Sequence, residues 1–341
     1  MKATKLMLFA LLFAVIATLL AGCSNSSNPP DASNPVLTSL PVGGLVYSAP
    51  TGNTDTPQPL TLANSGNAPL TISDLELSDS TSFALTASPS LPTTVAPGAA
   101  TTLTVGFNAL TVGPKNATLT VQSDGVAAAV VALHGLSFKG TGGNNEPSLQ
   151  WILDALAISV EVGDSDPTTT PIDGPTGGSV GEEIAAQTFR KAGSGAVTVE
   201  VLAAFAVEND PVVRFGWYGA GDATNTQAVF EVPQTSPNTP PNNAQRLMPD
   251  VTGTLSFDPG SAPFGLYAFW PGNQFFAART TYTEDALNTF PKALPHHFRT
   301  FPYKNADGTV EPNVYIVTNN EFHLGDDFND VVVVVRNVTP L

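Results

Sequence analysis

Apolar and polar positions alternate over short stretches along most of this chain. In PLTLANSGNAPLTISDLEL, Leu60 and Leu62, and then Leu70 and Ile72, lie on one face around a Ser-Gly-Asn turn. Such period-two alternation, bounded by turn residues, is typical of half-buried β-strands. About seven strands are predicted between residues 42 and 139, with the short spacing that is typical of an immunoglobulin-like sandwich.

One segment has the period of a helix instead. Leu149, Ile152, Leu153 and Leu156 recur at i, i+3, i+4 and i+7 behind Ser148, which is a suitable N-cap. Beyond this helix, about nine stretches from ISVEVG to DVVVVV return to strand patterns and predict a jelly-roll-like sandwich. The predicted fold class is therefore all-β: an N-terminal immunoglobulin-like β-sandwich plus a C-terminal jelly-roll-like β-sandwich with one short helix.

The stretch GDDFNDVVVVVRN, residues 325–337, joins very polar and very apolar positions. Val331–Val335 has no polar break, so we expect a strand inside a sheet with both faces covered. The Asp and Asn residues before it have two explanations. They form Asx turns that bind nearby backbone groups, or they bind a hard cation through their oxygens.

The cation explanation points to Ca²⁺, which takes about six to eight oxygen ligands. Carboxylates packed together repel one another unless a cation or a basic side chain intervenes, and the nearest basic residue along the chain is Arg336. No EF-hand spacing is present, so both explanations stay open. The candidate calcium ligands are Asp326, Asp327, Asn329, Asp330, Glu321, Asp285 and Asn288.

The N-terminus has the layout of a secretory signal. Lys2 and Lys5 precede an apolar run that ends in Leu-Ala-Gly-Cys, and the run is shorter than the roughly 20 residues of a membrane-spanning helix. This segment resembles a bacterial lipobox. The resemblance implies cleavage before Cys23, acylation of the Cys23 sulfur, and anchoring in a membrane of the bacterial cell envelope, at the outer membrane or cell surface.

Composition and charge indicate which partners and which cross-links to expect. The net charge is −16, and residues 146–341 carry 23 of the 29 acidic side chains. Such a chain repels phosphate backbones, so nucleic acid is not an expected partner, whereas divalent cations are. Cys23 is the one cysteine, so no disulfide is expected. The predicted organisation is a signal peptide (1–23), a disordered tether (24–41), an immunoglobulin-like domain (42–139), a linker (140–147) and an acidic β-sandwich (148–341).

Two further resemblances follow from longer motifs. LTLANSGNAPLTISDLEL, VAPGAATTLTVGFNALTVGPKNATLTVQSD and VALHG resemble the Hydin-like, choice-of-anchor immunoglobulin-like repeats of bacterial surface proteins, which implies a spacer or scaffold. SLQWILDAL, FGWYGAGD, FGLYAF, YTEDALN and GDDFNDVVVVV resemble an uncharacterised family of secreted bacterial domains that end in an Asp-x-Asp-Phe-Asn-Asp motif. That second resemblance implies no established catalytic activity.

We therefore expect a lipid-anchored surface protein without enzymatic activity, in which an immunoglobulin-like spacer presents an acidic domain to an extracellular protein or glycan. A carbohydrate-binding module is one alternative, because Trp151, Trp217, Tyr218 and Trp270 offer faces that stack on sugars. A polysaccharide hydrolase is another, although no particular carboxyl pair is indicated. Zinc binding by His296, His297 and His323 lacks any supporting motif.

Overall fold

The structure is a computed structural model that describes residues 34–142, 145–164, 166, 168, 179–206, 212–233, 242–272, 277–321 and 327–341. The N-terminal half of these residues forms short strands, and we number them along the chain. They are β1 (Leu37–Leu40), β2 (Leu45–Pro50), β3 (Gln58–Asn64), β4 (Leu70–Leu77), β5 (Phe83–Ala87), β6 (Thr93–Val95), β7 (Ala100–Phe107), β8 (Gly113–Ser123) and β9 (Ala129–Phe138).

The C-terminal half begins with a helix and continues as strands, interrupted by the 3₁₀ turn Asp285–Leu287. These elements are α1 (Leu149–Ala155), β10 (Phe189–Lys191), β11 (Val197–Phe205), β12 (Val212–Gly219), β13 (Thr226–Pro233), β14 (Gln245–Leu247), β15 (Thr252–Gly253), β16 (Ser256–Phe257), β17 (Phe264–Trp270), β18 (Arg279–Tyr282), β19 (Phe298–Lys304), β20 (Val310–Asn319), β21 (Val331–Arg336) and β22 (Val338–Pro340).

The N-terminal strands form two facing sheets, in the orders β1-β3-β7-β5 and β2-β9-β8-β4-β6. Neighbouring strands are antiparallel, except that β2 runs parallel to β9. Leu60, Leu62, Leu70 and Ile72 are fully buried, which confirms the predicted alternation. β1 lies in the segment predicted as a disordered tether; it pairs with β3 from Leu37 to Leu40, so this part of the prediction is wrong.

The C-terminal strands also form two sheets, which we call the first sheet and the second sheet. The first sheet has the order β15-β13-β12-β17-β10-β22, with β18 also paired to β17. The second sheet has the order β14-β11-β21-β20-β19, with β16 also paired to β11. The chain is therefore all-β, with an immunoglobulin-like sandwich followed by a larger β-sandwich and one short α-helix among the described residues.

Helix α1 begins where the sequence pattern placed it. The Ser148 hydroxyl accepts a hydrogen bond from the Trp151 backbone N–H at 3.3 Å, so the predicted N-cap is confirmed. Leu149, Ile152 and Leu153 form its buried face. Within the described ranges, no helix is long and apolar enough to cross a membrane.

The predicted strand ISVEVG is not a strand in the structure. Ile158, Val160 and Val162 are buried in alternation, as the pattern required. Two of the backbone N–H groups, however, bind side chains instead of a neighbouring strand: Glu161 N–H donates to Glu182, and Val162 N–H donates to Gln150, each at 3.0 Å. The apolar pattern therefore predicted the burial correctly, whereas the hydrogen-bond partners decided the secondary structure.

Strand β21 is buried on both faces, as predicted. Val331, Val333 and Val335 belong to the apolar cluster between the first and second sheets, which we call the inner core. Val332 and Val334 belong to a second cluster on the other face of the second sheet, which we call the seam. The seam consists of side chains from β9, α1, β11, β14, β19, β20 and β21 together with Ile158, Val160, Val162, Val180 and Phe328.

Valine truncation on either face of β21 should destabilise the protein. We expect Val333→Ala in the inner core and Val334→Ala in the seam each to lower the free energy of unfolding by about 2 kcal/mol, because each leaves a cavity in packed surroundings. Urea unfolding followed by tryptophan emission measures both variants. Val310→Ala is the control, since Val310 is 52% exposed. A Val334→Ala variant as stable as this control would contradict burial of the outer face.

Candidate functional site

The Asp-Phe-Asn-Asp segment, residues 327–330, lies in the connection between β20 and β21. These two strands are antiparallel neighbours, with Asn319 opposite Val331, so the connection must return the chain to the same end of the sheet. Asp326 and His323 lie outside the described residues. The segment therefore stands at the entrance of the doubly buried strand, as the sequence suggested.

Two side chains of this segment and its backbone carbonyls bind backbone groups of three different chain segments. The Asp330 carboxylate accepts a hydrogen bond from the Glu321 backbone N–H at 2.7 Å. The Asn329 side-chain amide donates to the carbonyl of Pro147 at 2.8 Å. The Phe205 N–H donates to the carbonyls of Asn329 and Asp330, each at 3.2 Å. Backbone binding, one of the two explanations for this motif, is therefore present in the structure.

Phe328 holds the centre of the segment in the seam. Its side chain is buried, and its φ of +50° lies in the left-handed region, which costs about 1 kcal/mol for a residue with a side chain. The Arg299 guanidinium lies 4.5 Å from the centre of the Phe328 ring and also forms an ion pair with Glu183. Burial and this cation–π contact compensate for the backbone conformation.

Glu146 joins the same site, although the sequence placed it in a Gly/Asn/Pro linker. It is buried, and its carboxylate accepts hydrogen bonds from the Gln245 side chain at 2.8 Å and from the Gly142 N–H at 3.2 Å. A single Glu in a linker carries no pattern that marks it as buried. Sequence reasoning therefore missed it, and only its contacts with distant segments identify it.

Burial and neighbouring carboxylates raise the pKa values of Glu146 and Asp330. Burial raises the pKa of Glu146 well above its ordinary value, and the charges of Asp327 and Asp330 raise it further. Burial also raises the pKa of Asp330, with additional contributions from Glu321 and Asp327. We call Glu146, Glu321, Asp327 and Asp330 the acidic cluster.

A basic side chain partly balances the acidic cluster. Arg279, at the start of β18, lowers the pKa of Asp330 against the effect of burial. Arg336, the nearest basic residue along the chain, instead forms ion pairs with Glu311 at 2.8 Å and Glu200 at 3.5 Å. Arg336 is thus the nearest basic residue along the chain, but it is not the one that acts on Asp330. The fold brings Arg279 of β18 to the site from a remote position in the sequence.

The remaining candidate ligands have contacts of their own. Asp285 forms an ion pair with His296 at 2.6 Å and accepts a hydrogen bond from Gln187 at 2.6 Å. The Asn288 amide binds both the N–H and the carbonyl of Tyr282 at 2.9 Å. These contacts are separate from those of Asp330. Among the described residues, no three acidic, His or Cys side chains are grouped in a way that would hold a metal ion.

The described tryptophans and Tyr218 pack in the protein interior. Trp270 and Tyr218 are fully buried, and Trp217 stacks on Phe257 with ring centres 5.4 Å apart. Trp151 packs against the seam. Within the described ranges no aromatic side chain is among the exposed large apolar residues, and Trp151 and Trp217 are half-buried.

His297 is occupied by backbone groups. Its Nε2 accepts a hydrogen bond from the Leu294 N–H at 3.0 Å, so its proton is on Nδ1, which donates to the Asn320 carbonyl at 2.6 Å. His296 is paired with Asp285. Both described histidines of the proposed zinc set thus have structural partners, and His323 lies outside the described residues.

The raised carboxyl pKa values predict a pH dependence of stability. A carboxyl whose pKa is higher in the folded than in the unfolded state binds more protons when folded. Its stabilising contribution is therefore complete below the unfolded pKa and is lost as the pH rises through the folded pKa. Between pH of about 5 and about 8, we expect the urea midpoint of the wild type to fall, and that of Glu146→Gln to fall less.

The control for this experiment is Glu76→Gln, which removes an exposed carboxylate of β4. Its midpoint should show the same pH slope as the wild type. Equal slopes for Glu146→Gln and the wild type would contradict a raised pKa at Glu146.

A comparison with known protein families matches one segment of the N-terminal half. Residues 49–136 match the family described as "HYDIN/CFA65/VesB-like, Ig-like domain". This match supports the predicted Hydin-like immunoglobulin-like sandwich. A search of curated proteins found no match.

Several solved structures are similar to this chain at low identity. The VesB protease of Vibrio cholerae is 17% identical with a TM-score of 0.24, over 29% of this chain and 31% of that one. The secreted serine protease VesC of Vibrio cholerae is 11% identical with a TM-score of 0.24, over 86% and 49%. A protein of unknown function from Porphyromonas gingivalis W83 is 13% identical with a TM-score of 0.25, over 33% and 51%. The chain spans about half or less of the length of each.

Proposed function

We propose that this chain is a lipid-anchored structural and binding protein of the bacterial cell envelope. Acylation of Cys23 anchors it in the membrane, and the body that it carries outside the membrane is an immunoglobulin-like sandwich joined to an acidic β-sandwich. The lipobox-like Leu-Ala-Gly-Cys segment supports the anchor. The family match at residues 49–136 supports the structural role of the N-terminal half.

One observation supports a structural role most directly. The polar side chains of this site hold chain segments together: Asp330 binds the Glu321 backbone, Asn329 binds Pro147, and Glu146 binds Gln245. Hydrolysis of a polysaccharide requires a pair of carboxyl groups that flank the substrate bond. Glu146 and Asp330 are buried instead, which favours scaffolding over hydrolysis at this site.

The binding role is carried by the acidic surface of the second sandwich. Asp222 and Asp307 lie in solvent-exposed turns, each with a backbone N–H group bound to its carboxylate. Exposed carboxylates in excess attract partners with basic groups, or partners bridged through divalent cations. The partner is therefore an extracellular protein or glycan of complementary charge.

Calcium binding at the acidic cluster is part of the same proposal. In the described structure the four carboxylates of Glu146, Glu321, Asp327 and Asp330 influence one another electrostatically but are not grouped as metal ligands. Calcium binding therefore requires them to move closer together, and the bound cation would relieve the repulsion that Arg279 only partly balances. Asn329 contributes a further oxygen, since its fully buried Oδ1 has no hydrogen-bond partner within the described residues. Asp326, the remaining candidate ligand of this segment, lies outside the described residues.

The anchor is tested by replacing its attachment residue. We expect wild-type protein expressed in a bacterial host to incorporate labelled palmitate and to sediment with membranes, and Cys23→Ala to lose both properties, because the thioether bond requires the sulfur. Ser24→Ala is the matched control and should behave as the wild type. Membrane association of Cys23→Ala at the wild-type level would contradict lipid anchoring.

Calcium is tested on the soluble chain, residues 24–341. We expect Ca²⁺ to raise the melting temperature, with a Kd on the order of 10⁻⁴ to 10⁻³ M, and a chelator to reverse the shift. Asp327→Asn and Asp330→Asn should each remove the shift in calorimetry, whereas Asp258→Asn, in an exposed turn, should keep it. An unchanged melting temperature of the wild type at millimolar Ca²⁺ would contradict calcium binding, and binding of backbone groups would then be the role of the cluster.

A further inference from the structure

The second sheet has an apolar outer face, and the immunoglobulin-like half covers part of it beside α1, through the end of β9. Phe138 of β9 and Phe205 of β11 are both buried, and their rings meet edge to face with centres 5.2 Å apart. Leu136 of β9 lies in the same cluster as Val332 and Val334 of β21. Contacts between separate domains are usually more polar than this. The seam instead has the composition of a core that is shared by two sandwiches.

Polar contacts at the margin of the seam join the edges of two sheets. The N–H of Leu247 in β14 donates to the Ser48 hydroxyl in β2 at 3.0 Å. Arg246 forms an ion pair with Asp55 at 3.4 Å, and Asp55 is itself buried and accepts from the Ser48 N–H at 2.9 Å. The two half-molecules therefore satisfy each other's buried polar groups as well as packing their apolar ones.

The C-terminus of α1 also depends on the immunoglobulin-like half. The last carbonyls of a helix lack partners within the helix and need donors from elsewhere. Asn116 of β8 donates to the Asp154 carbonyl at 2.8 Å, and His134 of β9 donates through Nδ1 to the Ala155 carbonyl at 2.9 Å. The N-terminal half thus completes the hydrogen bonding of a helix that belongs to the C-terminal half.

We propose that the immunoglobulin-like half is a built-in folding subunit of the C-terminal sandwich, whose outer sheet face it helps to cover, and that the two halves fold and unfold as one cooperative unit. This goes beyond a spacer, which would present the second sandwich without stabilising it. The buried Glu146 and the hydrogen bond from Asn329 to the Pro147 carbonyl fix the connection between the halves. The outer face of the second sheet is therefore packed against the N-terminal half of the same chain.

The test uses the soluble chain, residues 24–341, in a Trp151→Phe background. The two remaining tryptophans, Trp217 and Trp270, then both report on the inner core of the C-terminal half. A destabilising change is placed in the other half: Leu103→Val in β7 lies in the core of the immunoglobulin-like sandwich and outside the seam. Urea unfolding is followed by tryptophan emission, and by hydrogen exchange of peptides from β7 and β8.

If the halves are coupled, Leu103→Val lowers the urea midpoint of the tryptophan signal by the same amount as it lowers that of the β7 and β8 peptides. If the halves are independent, the tryptophan midpoint stays at the value of the background protein while the peptide midpoint falls, and the proposal is overturned. Val130→Ala, at an exposed position of β9, is the control and should move neither signal.

A second variant weakens the seam itself. Phe138→Ala removes the ring that meets Phe205, so the tryptophan midpoint should fall and the effect of Leu103→Val on it should become smaller. An unchanged tryptophan midpoint in Phe138→Ala would contradict a stabilising role for the seam. If Leu103→Val shifts both midpoints too little for a comparison, the tryptophan midpoint of Phe138→Ala alone still tests the proposal.

Discussion

Burial of β21 on both faces is the constraint on which the rest of the architecture depends. Five consecutive valines have no exposed side, so each face of the strand needs its own apolar cover. The first sheet covers one face and forms the inner core. The other face is covered by α1 and the end of β9, which is why a helix and an immunoglobulin-like sandwich lie against the second sheet.

The same constraint explains the polar segment that precedes the strand. Chain that enters a dry interior brings backbone N–H and carbonyl groups that must be paired. Asn329 and Asp330 supply that pairing, and the preceding Phe328 packs into the seam. The cost is a group of carboxylates with raised pKa values, which Arg279 balances in part. Polar and apolar residues are therefore adjacent here because the segment passes from solvent into a core.

Local pattern predicted much of the fold and little of the site. The alternating strands, the capped helix and the valine strand follow from periods that neighbouring residues establish. Strands β10, β14 and β22 are three residues long, too short for a period to be recognised. Glu146 and Arg279 reach the acidic cluster from remote positions, and nothing in their own surroundings along the chain marks them. Asp285 and Asn288 matched by residue type, yet their nearest groups belong to other segments.

The parallel pairing of β2 with β9 has a mechanical consequence. If the proposed anchor at Cys23 holds the N-terminus and a load acts through the C-terminal half, tension would enter β2 at its start and leave β9 at its end. Because the two strands run in the same direction over six paired positions, their hydrogen bonds would bear this tension together in shear. The edge strand β1, which is antiparallel to β3, would instead peel away one bond at a time. The pair of strands loaded in shear therefore ends at the seam, since the last residues of β9 pack there.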